Sequence, residues 1–483
     1  MSEEIKFQKP APTPPIKLLK LLVKMGVKPP TPQVPYPENW SSLNGDEKYE
    51  FFKKFNMATE HRAFVSEEVA ITYKRRMQRW FDIVDLKEPD QVPNNYLVEG
   101  LLEENAGITK AESYYDGEKF AKSIFKFAQD FQPDYAPFAI AIPGPMHETL
   151  GTSMIRWPGG GRSDALADDT KWQFIEDEYM LADEYDDLIA DPENFLYRKW
   201  APRAYKNLEG FATLPSLYTS IMPATDMLWL MPYALGPARD AVKNLLKAAD
   251  ENLQFILPML VTGDKIQATM GAPTTFGSFT LAPFDIVGDS LRGTKGIMLD
   301  LYRNPDKVIA ACEAVIPAAL QMAVDNAMFM GSPFVFIPLH KGADGFMSNK
   351  QFEKFYWPSF KKLLVAIVDA GLVPMPFVEG SYNHRLDILA DSDLPNRIIW
   401  WFDQTDMKEA KKKLGGKFTI GGNIPASMLA TGTAEEVDTY SKNLIETCAP
   451  GGGFFLAPGA VIDQAKPENM HAFLRSTKKY GVY

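Results

Sequence analysis

Cysteine is almost missing from this chain: there are two in 483 residues, Cys312 and Cys448, far apart in sequence. That excludes a disulfide scaffold and a cysteine-built zinc cluster, and it suits a reducing, cytoplasmic setting. Basic blocks and arginine–aromatic interleaving are lacking too. The formal net charge of -11 is spread along the sequence, which argues against a nucleic-acid partner. No run approaches the roughly 20 apolar residues of a membrane span. The start, MSEEIKFQKPAPTPP, does not have a basic stretch followed by an apolar one, so neither a membrane partner nor a leader is expected. No GxGxxG, and no GxxxxGK followed by Ser or Thr, opens a helix, which removes the usual phosphate cradles of nucleotide sites.

What is present is a hydrophobic content of 46%, enough for a large core. Residues 1–44 read as a Pro-rich arm around one amphipathic stretch, IKLLKLLVKMGVK (Ile16–Lys28). Such a stripe is expected to strap onto its own body or a symmetry mate, which leaves a homodimer open, or else to meet a membrane surface or partner. Residues 45–136 read as a helical region. From 137 to 483 short apolar runs bounded by Gly or Pro alternate with helix-length segments. The runs are FAIAIPGP (Phe138–Pro145), IQATMGAP (Ile266–Pro273), FVFIPLHKGAD (Phe334–Asp344), LVPMPFVEG (Leu372–Gly380), RIIWWFD (Arg397–Asp403), KFTIGGNIP (Lys417–Pro425) and GGFFLAPGA (Gly452–Ala460). Strand–helix alternation on this scale implies an α/β fold with a parallel sheet closed as a (β/α)8 TIM barrel, carrying a helical, Pro-rich N-terminal extension.

In such a barrel the residue that ends a strand stands at the C-terminal mouth, where catalysis is housed. The rule marks His340 and Asp344, Glu379, Asp403 and Asp406, Asn423, and the Pro458–Gly459 turn. Glu379 is the most informative: an apolar strand that ends on an acid followed by glycine offers a carboxyl in a desolvated place. Glu379, His340, Asp344 and Asp403 are the candidate catalytic groups. Phe346, Phe377, Tyr382, Trp400, Trp401, Asn423, His384 and Arg385 are the candidate substrate contacts, with Trp400 and Trp401 facing opposite ways by strand alternation. Each has a plain alternative: Asp406 as a helix N-cap, His340 as a satisfied loop histidine, Asn423 as a turn residue, and the aromatics as core. The glycines of IRWPGGGRSDALADDTKWQF (Ile155–Phe174) suggest a mobile lid, and the acidic EDEYMLADEYDDLIADPENF stretch a solvated helix pair.

The segments FVFIPLHKGADGFMSNKQFEKFYWPSFKKL, FVEG, GGNIPASML, TAEEVDTYSKNLIE and KPENMHAFL resemble the uroporphyrinogen decarboxylase superfamily, especially its long branch of corrinoid-dependent methyltransferases. The resemblance runs from about Pro137 to the C-terminus, with Gly-Asn-Ile-Pro at 422–425 and Pro-Glu-Asn at 467–469 as its marks. It implies a (β/α)8 barrel with ligand in the mouth. Two departures narrow it. The Arg-rich, MRQAGR-like motif of true uroporphyrinogen decarboxylases is missing. The His-x-Cys and final Cys that bind zinc in the thiol-directed methyltransferases are replaced by Phe377-Val378-Glu379 and Pro458-Gly459-Ala460. Zinc, or another hard or borderline metal, would have only oxygen and nitrogen ligands here. The resemblance then implies an O-demethylase-type methyltransferase. It would cleave a methyl ether, a methoxylated aromatic, and pass the methyl group to a cobalt corrinoid (cobalamin type) on a partner corrinoid protein. Glu379 would be the general acid. The alternative is a cofactor-free decarboxylase in which Arg385 or Arg162 grips a carboxylate. No Asp-x-His-x-x-Gly cobalt-ligand motif occurs, so any corrinoid is expected on a separate polypeptide.

Overall fold

The computed structural model describes residues 34–217 and 228–483, so the amphipathic stretch at Ile16–Lys28 lies outside the described residues. Eight parallel strands form the barrel: β1 (Leu97–Val98), β2 (Phe138–Ala139), β3 (Ser278–Phe279), β4 (Phe334–Leu339), β5 (Val373–Val378), β6 (Ile399–Phe402), β7 (Thr419–Ile424) and β8 (Phe454–Pro458). From β3 to β8 they pair in chain order, and β1 pairs with β2. The ring closes between β8 and β1 through Leu456 N–H to Pro93 O at 2.9 Å and Ile462 N–H to Leu97 O at 2.9 Å. Between β2 and β3 it closes through Ala136 N–H to Pro273 O at 3.0 Å and the stacked Phe138 and Phe276 rings, 4.2 Å apart.

Two boundaries differ from the sequence expectation. The barrel begins at β1, inside the region read as purely helical, because a strand of two residues carries no periodicity. The run Ile266–Pro273 is not a strand: it is the end of a long helix, α4 (Pro237–Met270), stopped by Gly271 at φ 59°. The third strand follows it at Ser278.

The helices explain themselves locally. Helix α1 (Gly45–Met57) opens on an Asn44/Glu47 capping box. Helix α2 (Glu67–Val84) puts Trp80 and Phe81 against the barrel interior, where Trp80 meets Phe334 and Phe455, and so plugs the bottom of the ring. Helix α3 (Gly117–Phe131) packs on α4. Helices α5 (Pro305–Ala314) and α6 (Ile316–Met330) together make one segment apolar and long enough to cross a membrane by composition. In the fold α6 lies on β3, taking hydrogen bonds from Ser278 Oγ to Ala323 O and from Thr280 Oγ1 to Ala319 O. Pro358 starts α7 (Trp357–Asp369). Asp406 caps α8 (Met407–Leu414), and Thr433/Glu436 box α9 (Ala434–Cys448).

Side chains alternate as strands require. Phe336, Phe377, Trp401 and Phe455 fill the barrel interior with Phe276, whereas Trp400 points outward to Phe360 and Phe418. Gly421 is forced by this packing, since a Cβ there would sit 1.9 Å from the Phe455 ring.

Candidate active site at the barrel mouth

At the end of β4, the His340 Nδ1 is 2.6 Å from Asp289 Oδ2, and its backbone N–H donates to Asp285 at 3.1 Å. The ring remains open to the mouth, its side chain 38% exposed. The next residue, Lys341, is buried; its Nζ meets Asp289 Oδ1 at 2.8 Å, Glu176 Oε1 at 2.9 Å and Thr294 Oγ1 at 2.7 Å. Asp289 therefore bridges an imidazole and an ammonium. Burial alone would push the His340 pKa down, but the Asp289 hydrogen bond and the charges of Asp285, Asp289 and Glu379 outweigh it and raise the ring to about 9. Fully buried Asp285 is shifted upward by burial and by Asp289, and it accepts from the Tyr356 hydroxyl at 2.7 Å.

Glu379 ends β5 on the same face. Burial raises its pKa, and Asp403 and Asp289 add to the rise; the His340 and Lys171 charges work against it. Asp403, at the end of β6, accepts from Gly380 N–H at 3.0 Å, and its pKa also rises through burial. Asn423, in β7, donates to Asp403 O at 2.7 Å and Thr405 O at 2.8 Å and faces the Tyr440 hydroxyl at 3.3 Å. Glu379, His340, Asp403 and Asn423 thus belong to one mouth. From Asp403 and Asn423 an open cleft of about 820 Å³ runs outward between α8 and α9, past Tyr440 and Asn443.

Most of the opposite rim was missed by the strand-end rule, because β1 and β3, two residues each, are too short to see. Glu99 follows β1, buried, and accepts from Trp172 Nε1 at 2.5 Å while pairing with Lys171 at 2.7 Å; burial raises its pKa against both partners. Lys171 also meets Asp463 beyond β8 at 3.2 Å. The glycine-rich stretch therefore crosses the mouth with its end fixed on β1 and β8. Gly160 serves a close approach: a Cβ there, at φ 74°, would fall 2.0 Å from Glu148 Oε1 and 2.1 Å from the Tyr115 hydroxyl. Glu176, from the acidic stretch read as solvated, is held by Lys341 and by Thr294 N–H at 2.9 Å. Asp285 and Asp289 carried a usable signal, four residues apart on one helical turn. An aromatic wall escaped too. Phe279 of β3 is 37% exposed, beside Phe336 at 6.4 Å, with Phe138 half-buried nearby.

Several expected contacts lie elsewhere. Arg385 is 1% exposed and donates to the carbonyls of Gly342, Ala343 and Met347 and to the Asn349 side chain. It stitches the loop after β5 to the loop after β4 and cannot meet a substrate anion. Asp344 does the same from the other side, accepting from Ser381 Oγ at 3.0 Å and His384 N–H at 3.1 Å, which is a tether and not a catalytic position. Tyr382 and Trp400 are fully buried in the layer between barrel and helices, and His384 is exposed on the outer rim. Phe377 and Trp401 lie inside the barrel with rings 4.9 Å apart, under the mouth, with Trp401 Nε1 donating to Pro458 O at 2.8 Å. Phe346 is half-buried, 5.4 Å from Lys341 Nζ.

An eight-stranded parallel barrel with titratable groups gathered at the C-terminal mouth defines the general class: a (β/α)8 barrel with its site at the strand ends. Within that class, the uroporphyrinogen decarboxylase (URO-D) family model matches residues 232–480, just over half of the chain, and the chain belongs to that family. It is similar to a uroporphyrinogen decarboxylase of Idiomarina loihiensis, 20% identical over 207 residues; the match covers 42% of this chain and 56% of that protein. The chain thus matches little more than half the length of that curated relative. Among solved structures it is similar to a methyltransferase from Methanosarcina mazei, with a TM-score of 0.54 and 16% identity over 85% of this chain and 98% of that one. That likeness speaks for the fold.

Proposed function

We propose that this protein is a methyltransferase that cleaves the methyl ether of a methoxylated aromatic and hands the methyl group to a cobalt corrinoid carried by a partner protein. The observation that carries the reading is Glu379: a carboxyl whose proton is favoured by burial, set over an aromatic barrel interior and facing a histidine held charged by Asp289. An ether oxygen leaves poorly unless it receives a proton as its bond to carbon breaks. Glu379 is placed to supply it.

When bound, the partner protein's corrinoid would supply a cobalt(I) nucleophile for the methyl carbon, with the electron pair of the broken carbon–oxygen bond staying on oxygen. Glu379 donates its proton to that oxygen, so the product leaves as a neutral phenol and Glu379 is left as a carboxylate. His340, beside it and open to solvent, favours that carboxylate and relays a proton back. The aromatic floor of Phe336, Phe377 and Trp401, with Phe279 at the side, gives the aryl ring apolar contact. The strand-end donor set has no thiolate, and among the described residues no three His, Cys, Asp or Glu are grouped to hold a metal ion. A cytoplasmic setting is part of the proposal, since a cobalt(I) partner would require a reducing compartment.

A decarboxylase would need a guanidinium free to hold the substrate carboxylate. Arg385 is committed to backbone carbonyls, and Arg162 donates to Trp157 O and stacks 3.6 Å over the Trp157 ring. The test is incubation with a reduced corrinoid protein and a panel of methoxylated aromatics, followed by the cobalt absorption. Methylation of cobalt with loss of an aryl methyl group supports the reading, and no change with any donor contradicts it.

A further inference from the structure

Resting on that reading, we infer that the mouth selects methoxylated aromatics without a ring carboxylate over those that carry one. The basic side chains around the inner mouth are already engaged, Arg162 of the glycine-rich stretch by Trp157 O and by Glu148 at 3.7 Å. His340 and Lys341 share Asp289, Lys341 also holds Glu176, and Lys171 lies between Glu99 and Asp463. The basic groups further out, His384 and Lys408, stand on the exposed rim and cleft lip. The acids outnumber them. Glu379, Asp403, Asp285, Asp289, Glu99 and Asp463 converge on the same opening, and several are partly or wholly desolvated.

A carboxylate brought into this field would lose its water and find no unpaired cation, while raising the pKa of Glu379 still further by like-charge repulsion. A neutral ring meets no such penalty. It is offered Phe279, Phe138 and Phe336, whose faces and edges sit around the interior at ring separations of 6.0 Å and 6.4 Å from Phe336. Lys171 is the group that decides how strict this selection is. It is close enough to Glu379 to act on its pKa, and two carboxylates neutralise it.

The experiment compares 2-methoxyphenol with 4-hydroxy-3-methoxybenzoate, which differ by the ring carboxylate, using the full chain, a reduced corrinoid protein and the cobalt absorption. The expected result is a kcat/KM for the neutral donor higher by roughly ten-fold or more, a preference that shrinks as salt is raised. Asp463→Asn, which strips one of the two carboxylates from Lys171, narrows the ratio by raising turnover of the acid, with a smaller change for the neutral donor. Equal ratios, or a preference for the acid, overturn the inference. If neither methoxyarene is demethylated, or a methylated amine alone is turned over, it is the underlying methyl-ether reading that fails.

Discussion

Asp134, below the barrel, and Glu379, at its mouth, are both carboxylic acids packed away from water, yet their pKa values move in opposite directions. Asp134 sits just before β2, its side chain 3% exposed, with Arg76 Nη2 at 2.7 Å, Lys478 Nζ at 3.2 Å and Arg79 Nη1 at 3.7 Å. Burial pushes its pKa up, but the charges of Arg76, Lys478 and Arg79 more than reverse this and leave it below the usual aspartate range. Glu379 has burial on one side and further acids on the other, with His340 and Lys171 too few to reverse the rise. Burial is common to both ends, and the neighbours decide the outcome. The bottom of the barrel spends its charge on joining α2, the start of β2 and the C-terminal helix α10 (Pro467–Tyr480); the mouth keeps a proton within reach of a ligand.

Four substitutions would sharpen or break that contrast. The largest effect on activity is expected from Glu379→Gln: methyl transfer falls by roughly 100- to 10,000-fold, while the unfolding curve barely moves. Cobalt spectroscopy and thermal melting read the two quantities separately. The mirror-image result belongs to Asp134→Asn, which takes from Arg76 its carboxylate partner while Arg79 keeps Asp90. It should cost about 3–5 kcal/mol in urea denaturation and leave turnover per folded molecule unchanged. If Asp134→Asn lowered kcat and left stability alone, the two ends would not differ as described.

Asp289→Asn comes next and acts through a neighbour. Losing the partner at 2.6 Å lets His340 fall from about 9 toward its ordinary 6.5. The alkaline limb of the pH–rate profile should move down by roughly one unit or more. The sign for stability follows from the same shift: because the folded-state pKa lies above 6.5, the contribution of this pair is fully present below about pH 6.5 and is lost as pH rises through about 9. Asp134 behaves oppositely: its depressed pKa gives stability present above about 3.8 and lost as the pH falls through the folded value. The smallest change is expected for Phe279→Ala, a rise in KM for the methoxylated ring of roughly two- to ten-fold with kcat nearly held.

The half of the barrel that was legible in the sequence is the half with long strands. Strands β4 to β8 have four to six residues each, announced by apolar runs and ended by polar ones, so His340, Glu379, Asp403 and Asn423 could be placed at one opening before any coordinates. The opposite orientation of Trp400 and Trp401 followed from alternation alone. Strands β1 to β3 have two residues each; the run FAIAIPGP marked β2, but β1 and β3 have no period to detect. Glu99, Lys171, Asp289 and Phe279 went unseen with them. The strand-end rule also failed for the residues just past Glu379. It locates the first residue after a strand and says nothing about where the loop goes next; here the loop turns inward, burying Tyr382 and sinking Arg385 among carbonyls.

The most direct test of the account is an infrared titration of the carboxyl C=O stretch in the intact protein, taken as the difference between wild type and Glu379→Gln. A band assigned to Glu379 whose midpoint lies clearly above 4.5 is the predicted result. A midpoint at or below 4.5 would mean that the mouth holds Glu379 as an ordinary carboxylate, and the proton for the leaving oxygen would have to come from another group.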